Sequence, residues 1–172
     1  MSSHSQPVHG QKAPLYLLFS LSGERYALAA REVVAVLPRV PVKTIPGAPA
    51  WVAGVFAFRG ALVPVLDLCH LSLGTPAPAR TSTRTVLVDY RTADGRHCPL
   101  GLVLEQASDT LRCDPEAFRD YGLLNAESPY LGPVMETRDG LVQRIHVEQL
   151  LPETVQTLLF PLAGLNLEAG AP

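Results

Sequence analysis

The stretch that decides the fold is residues 52–68, which read VAGVFAFRGALVPVLDL. Two apolar runs flank the pair Arg59-Gly60, and such runs around a short glycine-containing turn are typical of a β-hairpin. Pro64 lies in the second run and cannot donate a ladder hydrogen bond, so we expect its strand to be an edge strand or to be bulged there. The sequence therefore predicts an apolar hairpin with one cation, Arg59, at its tip.

The segments before this hairpin predict two strands and a short helix. Residues 15–21 and 25–28 are short runs rich in Tyr, Phe and Leu, which is typical of strands. Residues 30–37 follow a helical period, and Pro38 would end the helix after about two turns. One face of this helix would carry Val33, Val36 and Leu37.

The segments after the hairpin predict more strands and a last helix. Residues 85–90 and 98–104 have strand composition, and residues 131–137 and 141–147 flank an Asp-Gly turn signal. A helix is predicted from residue 152 onwards. Its apolar face would carry Val155, Leu158 and Leu159.

These elements predict a mostly β protein made of two small barrels packed around a shared hydrophobic core, with short helices that include one at the C-terminus. Residues 14–163 would form the folded part, with a linker at about 72–84 that is rich in Pro, Gly, Ser and Thr. We expect residues 1–13 and 164–172 to be disordered tails, because they are polar or small and show no periodicity.

The composition excludes several classes of protein. The chain has 172 residues, 47% of them hydrophobic, and a net charge of -2, so a disordered polyelectrolyte is excluded. The 14 basic residues form no cluster, which argues against nucleic-acid binding. The apolar runs are too short to span a membrane, and the first 12 residues lack the apolar core of a signal peptide. The three cysteines form no CxxC pattern, which fits a reducing compartment. A cytoplasmic location is expected.

No catalytic or metal-binding set is apparent. Cys69-His70 and His97-Cys98 contain zinc-ligand residue types, but neighbours on a strand point to opposite faces, so neither pair would offer both side chains to one site. Elbow, Walker and dinucleotide motifs are absent from the sequence. We therefore expect no enzyme, no metal and no cofactor.

Two alternatives remain open at this point. One is a small-ligand-binding β-barrel that uses a cleft between the two halves. The other is a zinc or thiol enzyme built from Cys69, Cys98, Cys113 and nearby histidines.

The charged fraction of 17% is low, which suggests that part of the apolar surface is covered by other proteins. Arg59 stands beside apolar positions, and arginines in such places often anchor protein interfaces. We expect a groove between the two barrels, edged by this guanidinium, that accepts a helix by its apolar face.

The sequence resembles the CheW-like domain family. The resemblance is carried by residues 23–28, 33–37 and above all 45–68, where an apolar strand ends in Arg-Gly and is followed by the run LVPVLDL. The second half of the sequence resembles the family more weakly, but its elements follow in the same order, with residues 101–105 and a final hairpin that ends at Leu150-Leu151. The resemblance covers residues 14–160.

This resemblance implies a non-enzymatic adaptor with two SH3-like β subdomains. Such an adaptor would couple the cytoplasmic tip of methyl-accepting chemoreceptors to the regulatory domain of a CheA-type histidine kinase. It would stay in the cytoplasm, associated with membrane receptor arrays through these partners. By the same resemblance, the receptor interface would include Arg59, Val33, Gly54 and Val36, and the kinase interface Ala35 and Leu37.

The sequence departs from the family pattern in three places. Ala35 stands where a Glu associated with the kinase contact is usual, so kinase pairing is expected to be weaker or to involve a different homologue. Residues 104–107 read Leu-Glu-Gln-Ala where a Val-Asp-x-Val pattern is common in the family, and residues 114–133 are unusual for the family. These departures are similar to accessory couplers of alternative chemosensory pathways, such as those for surface sensing and biofilm control.

Overall fold

The computed structural model describes residues 12–122 and 126–161, and within them nine strands form one connected sheet. The strands are β1 (Leu15–Leu21), β2 (Glu24–Ala29), β3 (Val33–Pro38), β4 (Val52–Phe58), β5 (Ala61–Asp67), β6 (Thr83–Arg91), β7 (His97–Arg112), β8 (Leu131–Thr137) and β9 (Gly140–Ile145). The α-helices are α1 (Leu68–Leu73) and α2 (Glu153–Leu159), and 3-10 turns lie at Ala30–Glu32, Pro115–Ala117 and Val147–Gln149. The protein is mostly β with short helices, as predicted, and no helix in the described ranges is long and apolar enough to cross a bilayer. The predicted tails lie mostly outside the described residues.

The first barrel is formed by β3, β6, the first part of β7, β5 and β4, in that order. The chain leaving β3 closes it, because Lys43 and Val55 exchange two backbone hydrogen bonds of 2.8 Å. The β5–β7 pair is parallel and the other pairs are antiparallel. The barrel interior is filled by apolar side chains, including Leu66, Leu100 and Leu102, which are fully buried.

The second barrel repeats this plan in a different chain order. The last part of β7 pairs with β1, followed by β2, β9 and β8, and here β2–β9 is the parallel pair. Arg119, in the chain leaving β7, exchanges hydrogen bonds of 2.8 and 2.9 Å with Val134 of β8. A smaller core lies here, around Tyr16, Phe118 and Met135.

Strand β7 belongs to both barrels and joins them. Its first residues pair with β6 and its last residues pair with β1. A register shift against β1 leaves residues 106–108 unpaired between Glu105 and Asp109, with Gln106 at a φ of 50°. The bulge bends the strand from one barrel into the other. The predicted strand over residues 98–104 therefore covers only part of β7, which continues to Arg112.

The predicted helix over residues 30–37 is wrong. Only Ala30–Glu32 form a 3-10 turn, and the next six residues form β3, which pairs with β6. Val33, Val34 and Val36 are β-branched, which disfavours a helix and suits a strand whose partner is already in place. The helix-like spacing of Val33, Val36 and Leu37 arises because nearly every residue of this short run is apolar.

Three other expectations need correction. Strand β5 is not an edge strand, since it pairs with β4 and β7; Pro64 is tolerated because pairing with β7 begins only at the next residue. The predicted linker begins inside α1 and ends inside β6, so it lies within the first barrel. Leu158 of α2 is exposed, whereas Val155 and Leu159 contact the core as predicted.

Gly54 makes closure of the first barrel possible. Its φ is 151°, and a Cβ built on it would lie 2.4 Å from the carbonyl oxygen of Lys43. That oxygen accepts the hydrogen bond from the backbone N–H of Val55. Any side chain at position 54 would push the closing segment away from β4.

We expect Gly54→Ala to lower the free energy of unfolding by about 2–5 kcal/mol, because it combines backbone strain with a clash against a fixed carbonyl. Gly60→Ala is the matched control: its φ is also positive, at 81°, but no atom lies within 4 Å of the added Cβ. The control should cost only about 1 kcal/mol. Urea unfolding monitored by fluorescence of Trp51 measures both, and equal losses would show that closure does not depend on Gly54.

Candidate interaction surfaces

Arg59 occupies a strained position at the tip of the β4–β5 hairpin. Arg59 and Gly60 form the two-residue turn with φ values of 49° and 81°, which define a type I′ turn. The first position of such a turn favours Asn, Asp or Gly, and a left-handed conformation disfavours longer side chains. Arg59 is therefore not the residue that the turn itself would select.

The side chain of Arg59 is exposed and uncompensated by any acid in the described part of the chain. Its guanidinium carbon lies 4.9 Å from the centroid of the Phe58 ring, a cation–π contact. Leu62, which is 73% exposed, lies on the same hairpin opposite the exposed Ala57. The tip thus offers a free cation beside an apolar surface.

The resemblance implies five further interface residues besides Arg59. Gly54 lies on β4, and the other four lie on β3: Val33, Ala35, Val36 and Leu37. A bulge at Val34 shifts its register, so that Val33 lies opposite Val88 and Val36 opposite Val86. Ala35 and Leu37 lie opposite Leu87 and Thr85. Because cross-strand partners share a face, one face of β3 carries Val33 and Val36, and the other carries Ala35 and Leu37.

Exposure differs along β3. Val34 and Val36 are 54% and 44% exposed, while Val33, Ala35 and Leu37 are half-buried. Val33 packs against the core of the first barrel. Among the described strands β3 pairs with β6 along one edge only, so its outer edge and the side chains of Val34 and Val36 remain accessible.

The cleft at the bulge between the barrels is not edged by Arg59, contrary to expectation. It has a volume of about 560 Å³ and is lined by side chains of β1, β2, β6 and β7, with Arg25 and Arg84 as its cations. Arg59 is not among its lining residues. The guanidinium expected at the groove instead lies at the free tip of the first barrel.

Asp67, the acid of the run LVPVLDL, stabilises the fold rather than a surface. Its side chain is buried, and its two carboxylate oxygens accept hydrogen bonds from the backbone N–H groups of His70 (3.0 Å) and Ala77 (2.9 Å). The first bond caps α1 and the second holds the segment that follows α1 against the barrel. A carboxylate is needed because both oxygens must accept.

The cysteines and histidines do not assemble into a site in the described residues. No group of three His, Cys, Asp or Glu side chains there has the geometry to hold a metal ion. Cys69 is buried and Cys98 and Cys113 are half-buried, and burial raises the pKa of each thiol. Cys69 and His70 lie in α1, not on a strand, so the opposite-faces argument applies only to His97-Cys98, which begins β7.

Comparisons with known proteins agree with this geometry. The family model of the CheW-like domain matches residues 15–155. The chain is 36% identical over 73 residues to Protein PilI of Pseudomonas aeruginosa, which is 42% of this chain and 40% of that protein. It is 26% identical over 96 residues to the chemotaxis protein CheW of Bacillus subtilis, which is 55% of this chain and 58% of that protein. These matches thus span about half the length of the two relatives.

A longer match is to the probable chemotaxis protein CheW of Rhizobium etli, 24% identical over 140 residues, which is 80% of this chain and 87% of that protein. Among solved structures, the scaffolding protein TtCheW from Thermoanaerobacter tengcongensis superimposes with a TM-score of 0.73 at 20% identity. The superposition covers 87% of this chain and 95% of that one, which shows that the fold is shared.

We expect Asp67→Asn to lower the free energy of unfolding by about 1.5–3 kcal/mol, because the amide nitrogen cannot accept one of the two backbone hydrogen bonds. Asp114→Asn is the control, since Asp114 is exposed and accepts a single bond, from the Glu116 N–H at 2.9 Å, which the amide oxygen can keep. That variant should lose less than about 0.5 kcal/mol. Equal losses in thermal or urea unfolding would contradict this role of Asp67.

Proposed function

Because the chain belongs to the CheW-like domain family, whose members are scaffold proteins of chemotaxis-type signalling rather than enzymes, we propose that it couples methyl-accepting chemoreceptors to a CheA-type histidine kinase. The observation that carries this proposal is the family match over residues 15–155, joined to an exposed Arg59 that has no acidic partner among the described residues and lies in a turn that does not favour arginine. A strained residue without a local reason is a candidate for function.

The receptor surface that we propose consists of the hairpin tip and one face of β3. Arg59 would pair with a carboxylate on the receptor tip, while Val33 and Val36 would contact apolar residues of its helical hairpin. Gly54 is buried, so its contribution would be indirect, through closure of the barrel below these side chains.

The kinase surface that we propose lies on the other face of β3, at Ala35 and Leu37. The placement of the two residue pairs on different faces of β3 supports two partners that bind without excluding each other. The small Ala35 offers no charge to a kinase, which supports a weaker contact or a different kinase homologue than in the main chemotaxis pathway.

We expect this adaptor to work in the cytoplasm at receptor arrays, in an alternative pathway such as surface sensing or biofilm control. Its departures from the family pattern at Ala35 and in residues 104–107 support that assignment. The adaptor needs no cofactor, since its role is to hold two proteins together.

Arg59→Asn should weaken binding to a receptor cytoplasmic fragment from the same organism by more than about 1 kcal/mol, or roughly fivefold. Its stability should stay within about 0.5 kcal/mol of the wild type, because relief of the turn offsets the loss of the cation–π contact. Isothermal titration calorimetry measures the affinity.

Arg138→Asn is the matched control, because Arg138 is an exposed arginine at the tip of the β8–β9 hairpin in the second barrel. Its affinity for the receptor fragment should equal that of the wild type. An Arg59 variant that binds as tightly as this control would remove Arg59 from the interface.

Substitutions on the two faces of β3 should separate the two partners. Val36→Ser should reduce capture of the receptor fragment severalfold and leave capture of the kinase regulatory domain unchanged, whereas Leu37→Ser should do the reverse. Co-purification with each purified partner reports both effects, and circular dichroism verifies that each variant is folded. Loss of both partners in either variant would refute the division of β3 into two faces.

A further inference from the structure

A cluster of charged side chains lies where the two barrels meet, at the start of β3. The 3-10 turn Ala30–Glu32 connects β2 of the second barrel to β3 of the first, and it contacts both β1 and β6. The turn Val147–Gln149, which follows β9, also contacts β6. A cleft of about 480 Å³ opens between these elements. Its charged lining residues are Arg31, Glu32, Asp89, Arg91, His97 and Glu148.

Glu32 is the poorly compensated member of this cluster. Its Oε2 atom is buried and has no hydrogen-bond partner among the described residues. The Nε of Arg144 in β9 is likewise buried without a partner there. A buried carboxylate oxygen without a donor is costly to keep charged, and a proton on the carboxyl removes most of that cost.

The carboxylates around Glu32 also favour its protonated form. Burial raises the pKa of Glu32, and the nearby carboxylates of Glu148 and Asp89 raise it further. Arg144 and Arg31 oppose the shift but do not cancel it. The folded protein therefore holds a proton on Glu32 more tightly than the unfolded chain does.

We propose that Glu32 is a proton-responsive contact between the two barrels, in which proton uptake tightens the packing of Ala30–Glu32 against β6 and Val147–Gln149, and proton loss loosens it. The effect reaches β3 directly, since Val33 follows Glu32 in the chain. Acidification in the range where Glu32 titrates thus orders the start of β3, and alkalinisation loosens it.

The direction of this pH dependence follows from the linkage between proton binding and folding. A group whose pKa is higher in the folded state contributes stability that is fully present below its unfolded pKa and lost as the pH rises through the folded pKa. Two histidines lie beside acids of this cluster, so the test below removes both of them. His97 Nδ1 lies 2.9 Å from a carboxylate oxygen of Asp89, and His146 Nδ1 lies 3.7 Å from one of Glu148.

The direct test is a carbon-13 NMR titration of the side-chain carboxyl groups in the full chain. We expect the midpoint of Glu32 to lie above that of a glutamate in an unstructured peptide, and Glu148→Gln to lower it, because one repelling carboxylate is removed. A Glu32 midpoint at or below the peptide value would overturn the proposal, and this measurement needs no variant that might fail to fold.

Glu32→Gln, in a His97→Gln/His146→Gln background, tests the consequence. This variant mimics the protonated carboxyl, so at pH 7.5 it should raise the urea midpoint and slow amide exchange at residues 33–36 at least threefold relative to its background. The difference should shrink as the pH is lowered to 5, after correction for intrinsic exchange. An equal effect at both pH values would show a packing change without proton linkage and would contradict the proposal.

Discussion

The structure depends on closure of two small barrels by single backbone contacts. In the first barrel, Val55 of β4 exchanges two backbone hydrogen bonds with Lys43, in the segment that follows β3. In the second barrel, Val134 of β8 exchanges two with Arg119, in the segment that follows β7. Closure buries an apolar interior on a chain of modest size. In the first barrel the close approach of Lys43 is possible only because position 54 has no side chain.

The proposed adaptor role follows from what closure leaves at the surface. The β4–β5 hairpin, fixed at its base beside the closing contact, projects Arg59 and Leu62 at its tip. β3, which pairs with β6 alone, presents two sets of side chains on two faces. A rigid barrel with a charged tip and a two-faced strand suits a protein that holds two partners at once, since neither contact requires the barrel to open.

The sequence predicts the hairpins and the barrel architecture well because their signals are local. Residues 52–68 carry the two apolar runs and the turn that define β4 and β5, and the Asp-Gly signal marks β8 and β9 correctly. The valines of β3 imitate a helical period, and only the partner strand β6, some 50 residues away, decides for a strand. The second hydrogen bond of Asp67, from Ala77 ten residues later, and the buried Glu32 oxygen that has no partner among the described residues depend on how the folded chain packs, so composition and spacing cannot reveal them.

The central claim is that one small barrel binds a receptor and a kinase together, and a competition measurement tests it most directly. The receptor fragment is titrated by calorimetry into the chain alone and into the chain saturated with the kinase regulatory domain. The account predicts receptor affinities within about twofold of each other, because separate faces carry the two contacts and their coupling energy is small. Loss of receptor binding in the kinase-saturated sample would show that the two partners share one surface and would contradict the account.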